Sequence, residues 1–128
     1  MRFVLISLLL FATPWPSHAS ETKPTGTIQI LVQSSPLAGS QYYRLDTLQP
    51  EIVVGDALEL VREPNNPHDK HAVGVLWRGA RLGYLPRKEN NAVAKAMDDG
   101  ETVRATVESI TRDSNPWKRL RVSVFIVF

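Results

Sequence analysis

The stretch LVREPNNPHDKHAVGVLWRGARLGYLPRKENNAVAKAMDDG, Leu60 to Gly100, changes periodicity twice. Leu58 and Leu60 share one face of an extended segment, and Val73, Val75 and Trp77 share one face of the next, because successive side chains of a strand point to opposite sides. Between them REPNNPHDKHA, Arg62 to Ala72, has almost nothing to bury. Turn chemistry accounts for it: proline fixes φ, and Asn and Asp side chains bond nearby backbone N–H groups. Gly79, between Trp77 and Leu82, marks a tight hairpin where the backbone needs positive φ. From Arg87 the spacing turns helical, with Ala92, Val93, Ala96 and Met97 recurring after Pro86, and Gly100 is placed to end the helix. That helix is expected to lay Val93 and Met97 on a sheet and to leave Lys95 and Asp98 in water.

Working outward, Val103, Ala105 and Val107 alternate with polar neighbours, and Leu120, Val122, Val124, Ile126 and Phe128 give the longest alternation in the chain. TRDSNPWK, Thr111 to Lys118, joins these two strands. Upstream, Ile28, Ile30 and Val32 read as one face of another half-buried strand, and a short helical turn is expected around Leu45 to Leu48. Short strands with one or two short helices describe a mainly β (α+β) domain, a small partly open barrel.

The ends set the limits of that domain. MRFVLISLLLFATPWPSHA, residues 1–19, has a positive start at Arg2, an apolar run from Phe3 to Ala12, and small residues at Ser17 and Ala19, the layout of a cleaved secretory signal. An exported protein, periplasmic or secreted, is therefore expected, with no stable membrane insertion after cleavage, since a spanning helix needs about 20 apolar residues. Residues 20–26 are a flexible polar lead-in and 27–128 the folded domain. There is no cysteine, which excludes disulfides and thiolate chemistry. Without Arg2 the chain carries 14 basic and 13 acidic residues, too balanced for general adhesion to polyanions. The local clusters PRK, Pro86 to Lys88, and WKRLR, Trp117 to Arg121, read as solvated strand ends.

Three chemistries compete for the polar turn. His68, Asp69 and His71 have the spacing of metal ligands, but the remaining histidine, His18, leaves with the signal, so no metal and no cofactor is expected. No nucleophile elbow or phosphate-cradling glycine loop occurs, so the domain is read as a binding module rather than an enzyme, with a metal-dependent hydrolase the remotest alternative. Ligand reading is the third. Tyr42 and Tyr43 offer flat faces and the turn offers directional polar groups, the combination that holds single-stranded nucleic acid. The competing reading of the pair puts one tyrosine in the core and the other on the opposite face.

Asn66, Pro67, Asp69, Ala72 and Val73, followed by Gly83, Tyr84, Leu85 and Pro86 and a short helix, resemble the pattern of the HIRAN domain family. The resemblance runs from about Thr27 to Phe128. It implies a modified barrel related to OB and SH3-like folds, used in fork-remodelling translocases to capture the 3′-hydroxyl end of single-stranded DNA. It also implies that Tyr42 and Tyr43 contact the end nucleotides, that Asp69 bonds the terminal hydroxyl and that Asn66 belongs to the same pocket; His68 joins Asp69 at the reading edge, and Lys70 completes the nucleic-acid-binding set as one of the few local cations, with Arg87 and Lys88, available to phosphates. Gln41 stands where the family has arginine, which lowers phosphate attraction, and His68 stands where it has a stacking tyrosine, which reduces the π-face. The expected partner is a single-stranded DNA end bound by a monomer. An envelope peptide or glycan on the same barrel is the alternative.

Overall fold

The computed structural model describes residues 26–128; the expected signal, 1–19, and the lead-in through Thr25 lie outside them. Six strands form one antiparallel sheet: β1 (Gln29–Pro36), β2 (Ala57–Glu63), β3 (Ala72–Trp77), β4 (Ala80–Tyr84), β5 (Thr102–Ile110) and β6 (Leu120–Val127). Their order is β1-β6-β5-β2-β3-β4. The chain just beyond β1 meets the end of β4, where Ala38 and Tyr84 form a lone antiparallel bridge. The sheet thus curls into a small, partly open barrel. A 3-10 turn (Ser40–Tyr42) and helix α1 (Leu45–Leu48) follow β1, and helix α2 (Asn91–Asp98) links β4 to β5.

Local chemistry explains the joints. β3 and β4 pair Trp77 with Ala80, so Arg78 and Gly79 form a two-residue turn with φ of 46° and 80°, the positive pair that matches the twist of a hairpin. Helix α2 ends as a Schellman motif: the Gly100 N–H donates to the Met97 carbonyl and the Glu101 N–H to that of Ala96, with Gly100 at φ 79°. Val93, Ala94 and Ala96 are buried, Met97 packs at the core margin, and Lys95 and Asp98 face water as expected, whereas Ala92 is exposed. The core also takes Leu58 from β2, Val73, Val75 and Trp77 from β3, and Leu120, Val122 and Val124 from β6.

One strand departs from its expected pattern. Ile28, Ile30 and Val32 are 63%, 50% and 40% exposed, not half-buried on a common face. Leu31 pairs with Phe125 and Gln33 with Val124, which leaves Val32 bulged without an opposite residue and breaks the alternation there. After the bulge Ser35 and Leu37 point inward, and the first half of β1 extends with the end of β6 past the packed interior.

Candidate nucleic-acid interface

Three pieces of chain converge on one cavity of about 350 Å3. The turn after β1 contributes Ala38, Gly39, Tyr42 and Tyr43, the β2–β3 connection contributes Asn66, His68 and Asp69, and the end of β4 contributes Tyr84, with Leu85 and Arg87 beyond it. That size falls within the range of small-ligand pockets. The convergence depends on the Ala38–Tyr84 bridge, which sets the 3-10 turn against β4. Tyr42 is 80% exposed and Tyr43 37%, so neither is a core residue, and both rings line the cavity. The Tyr43 ring packs at a tilt of 55° against Tyr84, with 6.1 Å between centroids.

The polar turn shapes itself with its own side chains. Asn66 Oδ1 accepts from the His68 N–H at 2.9 Å, and Asp69 Oδ1 accepts from the His71 N–H at 2.9 Å, two successive Asx turns. Asp69 Oδ2 accepts from Asn90 Nδ2 at 2.7 Å, tying the turn to the buried residue just before α2. Burial pushes the Asp69 carboxyl up, but the His71 N–H, the Asn90 amide and the Arg87 charge outweigh it, and its pKa lies below the ordinary value of 3.8. The group is therefore an anion at neutral pH with acceptor capacity left on both oxygens. Among the described residues no three His, Asp or Glu side chains are grouped to hold a metal ion.

Of the residues singled out from sequence, Tyr42, Tyr43, Asn66, His68 and Asp69 come together. Lys70 does not line the cavity; it is exposed, and its carbonyl accepts from Arg62 Nη2 at 2.8 Å. The cation at the cavity is Arg87, from the PRK cluster read as a solvated strand end. Arg87 also lines an adjoining groove of about 480 Å3 with Pro36, Pro86, Lys88, Glu89 and the half-exposed Trp117. Trp117 was legible only as part of a basic cluster. Its 3-10 turn (Pro116–Lys118) is held by Asn115 Oδ1, which accepts from the Trp117 N–H, and by an ion pair between Arg119 and Asp46 of α1. A larger cavity of about 510 Å3 lies between β2, β5 and α2, around Leu58, Leu60, Met97 and Val103. It contains none of these residues and marks where β2, paired with β5 only at Ala57 and Leu58, parts from it.

Comparison with known proteins agrees with this fold. The chain superimposes on the crystal structure of a protein from Lactobacillus plantarum with a TM-score of 0.68 at 24% identity, covering 80% of this chain and 98% of that one. It superimposes on the HIRAN domain of human HLTF with a TM-score of 0.59 at 24% identity, covering 77% of this chain and 78% of that one. No curated protein matches it in sequence. Residues 30–128 match the HIRAN domain, and the chain belongs to that family.

Proposed function

We propose that this HIRAN domain, a nucleic-acid-binding module by its family, captures the 3′-hydroxyl end of single-stranded DNA and performs no catalytic step of its own. The observation that carries the reading is the convergence of an exposed tyrosine pair with an ionised, anchored aspartate in one cavity, from segments more than twenty residues apart. A base stacks on Tyr42 or Tyr43 whatever its identity, because every base has a π-face. The terminal 3′-hydroxyl donates to Asp69, whose carboxylate repels a terminal phosphate at the same place. Arg87 supplies the charge for the preceding phosphate, and the strand leaves over the groove that holds Lys88 and Trp117.

The test is fluorescence anisotropy with two short oligonucleotides of one sequence, ending in a 3′-hydroxyl or a 3′-phosphate. The hydroxyl strand binds about tenfold more tightly, the value of one hydrogen bond to a charged group. Asp69→Asn removes the preference while keeping an acceptor for the His71 N–H. Equal affinity for the two ends in the wild-type protein removes the end-capture mechanism. No binding of either at high micromolar protein moves the assignment to an envelope peptide or glycan. Export is a separate proposal, decided by N-terminal sequencing of the native protein, for which Ser20 is the expected first residue.

A further inference from the structure

Behind the cavity lies a polar cluster that the ligand scheme does not use. Arg81 Nη1 donates to Glu63 Oε2 at 2.6 Å and also to the Tyr84 hydroxyl, and its guanidinium carbon stands 5.0 Å from the Tyr84 ring centroid. The other Glu63 oxygen, Oε1, accepts from the Tyr84 hydroxyl at 3.1 Å and from Asn66 Nδ2 at 3.3 Å. One carboxylate therefore ties the end of β2 to β4 and to the polar turn. The pair crosses β3 at Gly74, where a Cβ would stand 2.9 Å from Arg81 Nη1 and 3.0 Å from Glu63 Oε2. The glycine leaves the room that the ion pair occupies.

From this geometry we infer that Glu63 and Arg81 are positioning residues for the binding face: they lock Tyr84, and Tyr84 in turn fixes the ring of Tyr43 against which a base stacks. The inference rests on the end-capture reading for its ligand, though not for the placement of the ring. Tyr43 is more than a third exposed and, among the described residues, has one aromatic ring packed against its own, that of Tyr84, to hold its plane. A ring held in place before the ligand arrives loses less rotamer freedom on binding, which is where preorganisation adds affinity. Tyr84 is suited to the task because it is held at both hydroxyl and ring: the hydroxyl by Arg81 and Glu63, the ring by the tilted packing against Tyr43. Burial, then the Tyr43 hydroxyl and the Glu63 carboxylate, push its pKa up to about 12 against the pull of Arg81, so the hydroxyl keeps its proton and stays a donor to Glu63. Asp69 is held directly by Asn90 and the His71 N–H, and Arg81 has no bond to the polar turn, so loss of Arg81 frees the stacking ring without touching the group that sets end preference.

The experiment compares wild type with Arg81→Met, Glu63→Gln and Tyr84→Phe in the full folded domain. Ring resonances of Tyr43 and Tyr42 are followed by NMR without ligand, and affinity for the 3′-hydroxyl oligonucleotide is measured alongside the melting temperature. Tyr43 resonances shift or broaden in Arg81→Met while those of Tyr42 do not, and affinity falls about five- to tenfold with the 3′-hydroxyl to 3′-phosphate ratio unchanged. In a Tyr43→Ala background Arg81→Met costs nothing further, which a merely destabilising substitution would not reproduce. Unmoved Tyr43 resonances in all three variants overturn the inference, as does an equal loss of affinity with and without Tyr43. If the wild-type protein binds neither oligonucleotide, the ligand reading falls, and the ring resonances still decide the clasp.

Discussion

Ala38 and Tyr84 exchange both of their backbone hydrogen bonds, at 2.8 and 2.9 Å, and this one bridge carries the tyrosine pair to the polar turn. It requires Gly83. A Cβ there would overlap the Ala38 carbonyl oxygen and press on Leu37, and Gly83 sits at a φ of 157°. Both obstacles are backbone or buried core, so neither yields cheaply. Gly83→Ala is expected to lose about 1–3 kcal/mol in urea denaturation and to weaken oligonucleotide binding at the same time, because the strain is relieved by moving Ala38, which leads directly into Gly39 and Tyr42.

Tyr42 and Tyr43 separate binding from stability. Tyr42 is 80% exposed, so Tyr42→Ala changes stability by no more than about 0.5 kcal/mol, while it removes a stacking face worth about 1–3 kcal/mol per base. Tyr43→Ala loses a comparable share of binding and also the contact with Tyr84. Calorimetric melting beside anisotropy titration reads both effects.

Asp69 makes acid stability a reporter of the turn. Its folded pKa is depressed below 3.8, so the native state binds its proton less readily than the unfolded chain does. The stabilisation from the carboxylate is complete above the unfolded value and is lost as pH falls through the folded one. Wild type is therefore more stable than Asp69→Asn at pH 6, and the gap narrows as pH falls below the ordinary carboxylate value of 3.8. Urea midpoints measured from pH 7 to pH 2.5 give the comparison. A gap that stays constant over that range would mean that the hydrogen bonds to His71 and Asn90 do not depend on charge.

The features that were legible in the sequence are those encoded within a few residues. The Arg78-Gly79 hairpin, the helix ending at Gly100 and the Asx turns at Asn66 and Asp69 are each set by nearest-neighbour chemistry. The barrel followed from alternation in β2, β3, β5 and β6, where an interior face repeats every second residue. β1 misled because a bulge has no local signature: Ile28, Ile30 and Val32 alternate in sequence, yet Val32 has no partner on β6. The site residues at Tyr42, Tyr43, Asn66, His68 and Asp69 came from a family resemblance, and the adjacent tyrosines alone left core and surface open. Arg87 was legible only as one of a few local cations, and Asn90 and Trp117 were missed at the cavity and its groove because their contacts join segments far apart in the chain that no spacing announces.

The exposure of the start of β1 yields a direct contrast. Ile30→Lys places a charge where half of the side chain already meets water, and its cost is expected within about 0.5 kcal/mol. Leu82→Ala empties a fully buried position and costs about 2–5 kcal/mol. Chemical denaturation of the two variants decides whether the apolar alternation of β1 serves the interior of this domain.

Arg87 is the cation shared by the cavity and the Trp117 groove, and its role shows in salt dependence more than in affinity at one condition. Binding to a single strand weakens with salt at a logarithmic slope of about 0.7 per phosphate neutralised, because each neutralised phosphate releases a condensed counterion. Gln41 carries no charge and Lys70 is not among the cavity-lining residues, so few phosphates are expected to be neutralised and the wild-type slope is expected to be shallow. Arg87→Gln is expected to reduce that slope by about 0.7, while Lys70→Gln leaves it nearly unchanged. Anisotropy titrations at four salt concentrations measure both. Equal slopes for Arg87→Gln and wild type would show that the strand does not pass Arg87, and a larger effect from Lys70→Gln would route it over the outer side of the polar turn instead.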